Sequence, residues 1–181
     1  MTMTMSKMST RTPHRSRPSN SSRISLGIDP GTRRIGYGVV ERKIDGSLAM
    51  KDAGILAIRS TDDIGALSET KQGIMAVIKK HRPDVVGIEK LYFAKNQKTA
   101  LAVAQARGVL LLALHEANLP IREFTPNEIK LGITGYGLSD KQAVLKMVRL
   151  ILGEHDLRVI DDASDALAGA IMAANNPLPE Y

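Results

Sequence analysis

The stretch ISLGIDPGTRRIGYGVV, residues 24–40, decides the fold because it contains two strands and the sharp turn between them. Alternating apolar residues at its start indicate a first β-strand, which ends on Asp29. The Pro-Gly pair at 30–31 forces a turn, and a second strand follows over about 35–40. A single carboxylate therefore stands at the end of a strand, beneath a tight hairpin.

Two arginines, Arg33 and Arg34, lie in this hairpin beside Asp29. Carboxylate oxygens bind hard metal ions, and guanidinium groups bind phosphate. The hairpin therefore predicts a place where a metal ion meets a phosphate. The alternative, left open by this stretch alone, is that Asp-Pro-Gly is only a good turn sequence.

Composition limits the class of protein. The chain has 181 residues, of which 43% are hydrophobic, enough for one domain with a sizeable core. It has no cysteine, which excludes disulfides, thiolate metal sites and a cysteine nucleophile and is compatible with a reducing compartment. It also lacks a run of about 20 apolar residues that would span a membrane. We therefore expect a cytoplasmic protein.

The positive charge is concentrated at the N-terminus. The net charge is +6, but five basic residues and no acid lie within residues 1–23. We expect a disordered basic tail over 1–23, one folded domain over 24–177 and a short C-terminal tail over 178–181. Because the remainder of the chain is nearly neutral, nucleic-acid binding would depend on local basic clusters.

Hydrophobic periodicity past the hairpin predicts alternating strands and helices. The predicted strands cover 51–59, 84–89 and 121–124, and the predicted helices cover 64–81 and 99–118. A flexible loop over 132–138 follows, and then two helices that begin near 139 and 160.

The strand over 84–89 repeats the pattern of the first strand, since it ends on a second carboxylate, Glu89. Gly27 lies two residues before Asp29, and Gly87 lies two before Glu89, so each glycine shares a face of its strand with the acid. The bare backbone leaves room for another element to approach closely. The alternative is a solvated acid at a strand end.

Aromatic and basic residues come together directly after Glu89, where Tyr92 and Phe93 lie near Lys95 and Lys98. Aromatic rings among cations can stack on an unpaired base while the cations hold phosphates. The equally weighted alternative is a loop anchored on the core.

The helix over 99–118 is apolar almost all round, which indicates burial against the sheet on one side and a second subunit on the other. Gly108 in its middle would permit close approach of another helix. Lys141 falls in the first turn of the next helix, after a Ser-x-x-Gln capping box that starts at Ser139, where free N–H groups favour anions. Lys130 and Lys141 are alternatively ordinary surface lysines.

The last helix begins with Asp161 and Asp162, followed by Asp165. Acids in a first turn are ordinary helix chemistry. However, Asp162 and Asp165 are three residues apart and share a face, which favours Asp162 over Asp161 as a functional acid. The surrounding Ala, Ser and Gly residues make a thin helix that can lie close against glycine-faced strands.

If Asp29, Glu89, Asp162 and Asp165 converge, they form an all-oxygen site. Oxygen ligands without cysteine or clustered histidine select Mg²⁺ or Mn²⁺. Two such ions can clamp a phosphodiester, one activating water and the other stabilising the leaving oxygen.

The order of elements and the placing of the acids are similar to the ribonuclease H-like fold, an α/β fold with a five-stranded mixed sheet flanked by helices. Four motifs closely resemble the RuvC family of Holliday junction resolvases. They are GIDPGTRRIGYG (27–38), IEKLYFAKN (88–96), QARG (105–108) and DDASDALA (161–168).

The resemblance implies a homodimeric endonuclease that resolves four-way DNA junctions by symmetric paired nicks in recombination and repair. It implies work with the RuvA and RuvB branch-migration proteins. It also implies two Mg²⁺ or Mn²⁺ ions per active site, with the catalytic and metal-binding positions on Asp29, Glu89, Asp162 and Asp165. We expect the DNA contacts to be Tyr92, Phe93, Lys95, Lys98, Arg107, Lys130, Lys141, Arg33 and Arg34.

Three other functions compete with this one. A YqgF-like nuclease of the same fold would act on RNA, and the aromatic segment argues against it only through the resemblance. A junction-binding module with an inactive site is disfavoured because all four acids are present. A sugar-kinase or actin-like ATPase shares the Asp-Pro-Gly-Thr sequence, but that fold needs two such domains, which 181 residues cannot hold.

Overall fold

The computed structural model describes residues 21–90, 97–154 and 161–176. Its strands are β1 (Arg23–Asp29), β2 (Arg34–Arg42), β3 (Leu48–Ala57), β4 (Val85–Glu89) and β5 (Ile121–Phe124). Its helices are α1 (Asp63–His81), α2 (Gln97–Glu116), α3 (Pro126–Thr134), α4 (Lys141–Leu152) and α5 (Asp161–Asn175). Most of the predicted N-terminal tail and all of the predicted C-terminal tail lie outside the described residues.

The five strands form one mixed sheet in the order β3-β2-β1-β4-β5. β1, β2 and β3 are antiparallel neighbours, whereas β4 runs parallel to both β1 and β5. This arrangement confirms the predicted fold class. Because β1 and β4 are parallel neighbours with Ile28 opposite Ile88, their carboxyl ends bring Asp29 and Glu89 to the same edge.

Each face of the sheet carries its own hydrophobic core. On one face, Leu26 and Ile88 pack with Ile74 of α1 and Leu110 of α2. On the other face, Val40 and Val85 pack with residues of α3, α4 and α5. No helix in the described part of the chain is long and apolar enough to cross a membrane.

Helix α5 rests directly on a row of glycines. Gly27 pairs with Gly38 of β2 on one side and with Gly87 of β4 on the other. A Cβ atom on Gly27 would lie 1.8 Å from the main-chain oxygen of Ala166, and one on Gly87 would lie 2.3 Å from that of Gly169. The prediction that a thin helix lies against the glycine-faced strands is confirmed.

Two local predictions were wrong. Residues 126–134 form α3, whereas the sequence predicts a strand that ends at 124, a flexible loop over 132–138 and no helix between them. Thr125 caps α3 through a capping box with Glu128, and a proline occupies the first turn, so the signal was present. Helix α4 is capped by Asp140, one residue after the predicted Ser139, because its carboxylate accepts the Ala143 N–H at 2.8 Å.

Replacing Gly27 with alanine tests the contact between α5 and the sheet. The new methyl group meets helix backbone, which cannot move aside without lifting α5. We expect the free energy of unfolding in urea to fall by about 3 kcal/mol.

The matched control is Gly169→Ala on the helix side of the same contact, where the nearest atom to an added Cβ is 3.7 Å away. This change leaves stability unchanged or raises it by up to about 1 kcal/mol through helix propensity. Equal losses in the two variants would contradict the packing described here.

Candidate active site

The four predicted acids lie at one end of the sheet. Asp29 ends β1, Glu89 ends β4, and Asp162 and Asp165 occupy the first two turns of α5. Gly36 pairs with Asp29 across the hairpin, and a Cβ atom on Gly36 would lie 2.0 Å from the main-chain oxygen of Asp162. The start of α5 therefore sits against the sheet beside the end of β1.

The pKa of Asp29 shows that the four acids interact electrostatically. Burial first, and then the negative charges of Glu89, Asp165 and Asp162, together raise the pKa of Asp29 to about 7. Lys141 acts in the opposite direction. Such a perturbed carboxyl at a strand end is a physical marker of a functional site.

Glu89 experiences the same surroundings. Burial raises its pKa first, and the charge of Asp165 raises it further. The ammonium groups of Lys141 and Lys130 oppose this shift. Two acids and two lysines from different elements therefore interact around the end of β4.

Basic side chains partly neutralise the two acids of α5. Arg34 donates from Nε to Oδ2 of Asp162 at 2.9 Å, and the Nζ atom of Lys141 lies 3.0 Å from Oδ2 of Asp165. Among the described residues, no three acidic or histidine side chains are arranged to hold a metal ion as they stand. Binding a metal there would require Asp162 and Asp165 to exchange these cations for the ion.

The structure distinguishes Asp161 from Asp162. The side chain of Asp161 is 81% exposed, whereas that of Asp162 is 31% exposed. Asp162 contributes to the raised pKa of Asp29, and its carboxylate faces Arg34 of the hairpin. Asp162 is thus the acid that α5 directs toward β1.

A cavity of about 230 Å³ opens beside the acids. Its charged lining consists of Glu89, Asp165, Lys130 and Lys141, and Ile129 and Val144 contribute apolar walls. Two lysines next to two carboxylates can hold an anionic group of a substrate close to the acids.

The other predicted DNA contacts fall into two groups. Tyr92, Phe93 and Lys95 lie outside the described residues, and Lys98 lies in the first turn of α2 with its side chain outside them. All three predicted arginines contact protein groups. Arg33 donates to the main-chain oxygen of Ser60, Arg34 to Asp162, and Arg107 to the main-chain oxygen of Glu89 and to Glu123.

Glu123 is a charged residue near the site that the sequence interpretation missed. It lies on β5 opposite Ile88 of β4, one residue before the end of its strand. The sequence does place Glu123 near the end of a third strand, as it places Asp29 and Glu89 at the ends of theirs. In the structure that strand, β5, runs parallel to β1 and β4. The ion pair between Glu123 and Arg107 could not be predicted from the sequence, because it depends on how α2 crosses the ends of β4 and β5.

Comparisons with known proteins agree on one family. The family model for the crossover junction endodeoxyribonuclease RuvC matches residues 25–173. RuvC of Chloroflexus aggregans is 45% identical over 151 residues, which are 83% of this chain and 92% of that protein. RuvC of Moorella thermoacetica is 41% identical over 152 residues, which are 84% of this chain and 91% of that protein.

Solved structures agree with the sequence comparisons. Thermus thermophilus RuvC matches with a TM-score of 0.76 and 28% identity over 82% of this chain and 91% of its own. The same protein in complex with a Holliday junction substrate gives the same values. The yeast mitochondrial Holliday junction resolvase Ydc2 matches with a TM-score of 0.59 at 16% identity, which shows a shared fold.

The raised pKa of Asp29 predicts a pH-dependent effect of Asp29→Asn on metal-free protein. Because the folded-state pKa of about 7 exceeds the ordinary value of 3.8, the folded state binds this proton more tightly than the unfolded state. The stability that Asp29 contributes is fully present below pH 3.8 and is lost as the pH rises through 7. An asparagine at position 29 cannot titrate, so the stability of the variant does not fall in this way as the pH rises.

We therefore expect the advantage of Asp29→Asn over wild type in free energy of unfolding to grow by about 2 kcal/mol between pH 5 and pH 8. Urea unfolding in chelator measures this difference. Asp161→Asn, at a neighbouring acid whose side chain is 81% exposed, serves as the control. A constant difference for Asp29→Asn would show that the cluster does not perturb this carboxyl.

Proposed function

This chain belongs to the RuvC family of crossover junction endodeoxyribonucleases, and we propose that Asp29, Glu89, Asp162 and Asp165 form its catalytic centre. It is a nuclease that resolves four-way DNA junctions in recombination. The observation that carries the catalytic assignment is the pKa of Asp29, which burial and the other three carboxylates raise to about 7. Burial is the first cause of that shift and the three other acids add to it, which agrees with their places at the ends of β1 and β4 and in the first two turns of α5.

A nuclease of this family depends on divalent metal, and the four acids suit it by their chemistry. All four supply carboxylate oxygens, the ligands that Mg²⁺ and Mn²⁺ prefer, and their mutual repulsion is what a cation relieves. We propose that these four residues hold two Mg²⁺ or Mn²⁺ ions. When bound, such ions supply an activated water and stabilise the leaving oxygen of a phosphodiester.

The side chains around the acids would hold the substrate. Lys130 and Lys141 line the cavity beside Glu89, where a phosphate can pair with their ammonium groups. Lys141 is well exposed, so it can turn from Asp165 to a phosphate. We also propose phosphate contacts for Lys95, Lys98, Arg33 and Arg34, and base stacking for Tyr92 and Phe93 at the branch point.

The exposed face of α2 supports a homodimer. Leu101 and Leu112 are 70% and 53% exposed, and Gly108 lies between them. Positions 101, 108 and 112 fall on one stripe of a helix with 3.6 residues per turn. An added Cβ on Gly108 would meet nothing within 4 Å in the described chain, so a second helix can approach there. A twofold dimer would hold two active sites at a fixed separation, as paired nicks require.

The family resemblance also suggests protein partners and a cellular location for the enzyme. We propose that the enzyme acts in the cytoplasm, together with the RuvA and RuvB branch-migration proteins. Its junction substrate would be the product of strand exchange between two duplexes.

Substituting the acids with amides tests the catalytic assignment. Asp29→Asn, Glu89→Gln, Asp162→Asn and Asp165→Asn should each lower junction cleavage by more than about 100-fold, the upper range for losing a group that only supports a metal ligand. Junction binding in chelator should be unchanged or tighter, because each amide removes a charge that repels phosphate. Gel-based cleavage and fluorescence anisotropy measure the two quantities.

Asp161→Asn is the matched control, since it removes the adjacent charge and should retain cleavage within about twofold, an exposed surface change. Loss of cleavage in Asp161→Asn with retention in Asp162→Asn would reverse the assignment on α5.

Leu112→Asp tests the dimer. Each dimer would lose two buried leucines worth about 1.5–3 kcal/mol apiece, so the association constant should fall by at least about 100-fold. Analytical ultracentrifugation should show monomer, and a cruciform plasmid should be nicked on one strand rather than cut on both. Ile44→Asp, at an exposed residue of the β2–β3 turn, is the control. A dimeric Leu112→Asp with paired nicks would place the interface elsewhere.

A further inference from the structure

Arg107 lies on α2, but its guanidinium reaches the ends of β4 and β5. Its Nε atom donates to the main-chain oxygen of Glu89 at 3.2 Å, and Nη2 pairs with the carboxylate of Glu123. The Arg107 side chain is 15% exposed, compared with 64% for Lys141. A guanidinium that is covered and engaged on two sides differs from the exposed ammonium groups that suit phosphate binding.

The peptide group between Glu89 and Lys90 is held at both of its polar atoms. The Lys90 N–H donates to the main-chain oxygen of Phe124 at 2.8 Å, and Arg107 donates to the carbonyl oxygen of Glu89. Because a peptide group is planar, these two bonds fix its orientation at the point where β4 ends. The direction in which the Glu89 side chain leaves the strand is thereby restrained.

We propose that Arg107 and Glu123 form a clamp that positions the Glu89 carboxylate for metal binding. This inference rests on the proposed function of Glu89. Arg107 is a positioning residue, which acts through the backbone of Glu89 and not through contact with DNA. The planar guanidinium presents its donors to two acceptors in a fixed fork, whereas the three donors of a lysine ammonium rotate on a flexible stem and hold no fixed geometry.

Substituting Glu123 distinguishes the positioning role of Arg107 from a DNA contact. If Arg107 bound phosphate, Glu123 would compete with the DNA, and its removal would free the guanidinium and tighten junction binding. In the clamp, Glu123 orients the guanidinium, so its removal loosens Glu89 and weakens metal binding without changing junction affinity. The two roles therefore predict different outcomes for one substitution: tighter junction binding for a DNA contact, and weaker metal binding with unchanged junction affinity for the clamp.

The experiment compares Arg107→Lys, Glu123→Gln and the double variant with wild type in the full chain. Calorimetric titration with Mn²⁺ measures metal affinity in the absence of DNA. Fluorescence anisotropy in chelator measures junction affinity, and steady-state cleavage separates kcat from KM. The control is Glu116→Gln, which breaks the 2.8 Å ion pair between Lys71 of α1 and Glu116 at the far end of α2.

We expect both single variants to bind Mn²⁺ about 10–100-fold more weakly and to lose kcat by a similar factor, the usual effect of removing support from a metal ligand. Junction affinity and KM should stay within twofold of wild type. The double variant should be no worse than either single variant, because both remove one clamp. Glu116→Gln should match wild type in every measurement.

Weaker junction binding with unchanged Mn²⁺ affinity in Arg107→Lys would overturn the clamp, and so would wild-type values in Glu123→Gln. Glu123→Gln keeps the test decisive if Arg107→Lys fails to fold. A wild-type protein that neither binds Mn²⁺ nor cuts junctions would instead overturn the proposed catalytic centre.

Discussion

The close contact between the backbone of α5 and the sheet determines where the functional groups lie. Gly27, Gly38 and Gly87 are neighbours across three strands, and α5 occupies the space that their side chains would fill. A larger residue in this row would lift the helix and move Asp162 and Asp165 away from the strand ends. The site therefore depends on the glycines, which lack a Cβ atom, as much as on the acids. The same contact buries much of α5 in the second hydrophobic core.

Bringing four carboxylates to one edge has an electrostatic cost that the fold offsets with its own cations. Arg34 comes from the hairpin after β1 and Lys141 from the first turn of α4, and each pairs with one acid of α5. Asp29 has no such ion pair among the described contacts, and its pKa is raised first by burial and then by repulsion from the other acids. Stability is thus reduced where a cation-dependent activity needs concentrated negative charge.

Local patterns predicted most of this arrangement, because strand parity and glycine spacing are short-range properties. Glycine two residues before each strand-end acid correctly indicated a face that a thin helix approaches, and the family resemblance agrees with the comparisons. Helix α3 was missed because glycines after 131 were interpreted as a loop, although Gly132 lies within the helix and leaves room for Met172. The partners of Arg34 and Arg107 could not be predicted, since those ion pairs depend on tertiary packing; Arg34 and Asp162 are 128 positions apart.

The most direct test of this function is a cleavage assay on a synthetic four-way junction, run beside linear duplex DNA and an RNA–DNA hybrid, each with Mg²⁺, Mn²⁺ or chelator. Junction resolution predicts paired symmetric nicks on the junction alone, present with metal and absent with chelator. Cleavage of the hybrid in place of the junction would contradict it and indicate an RNA nuclease of the same fold. Tight junction binding without cleavage in either metal would contradict the catalytic role of the four carboxylates.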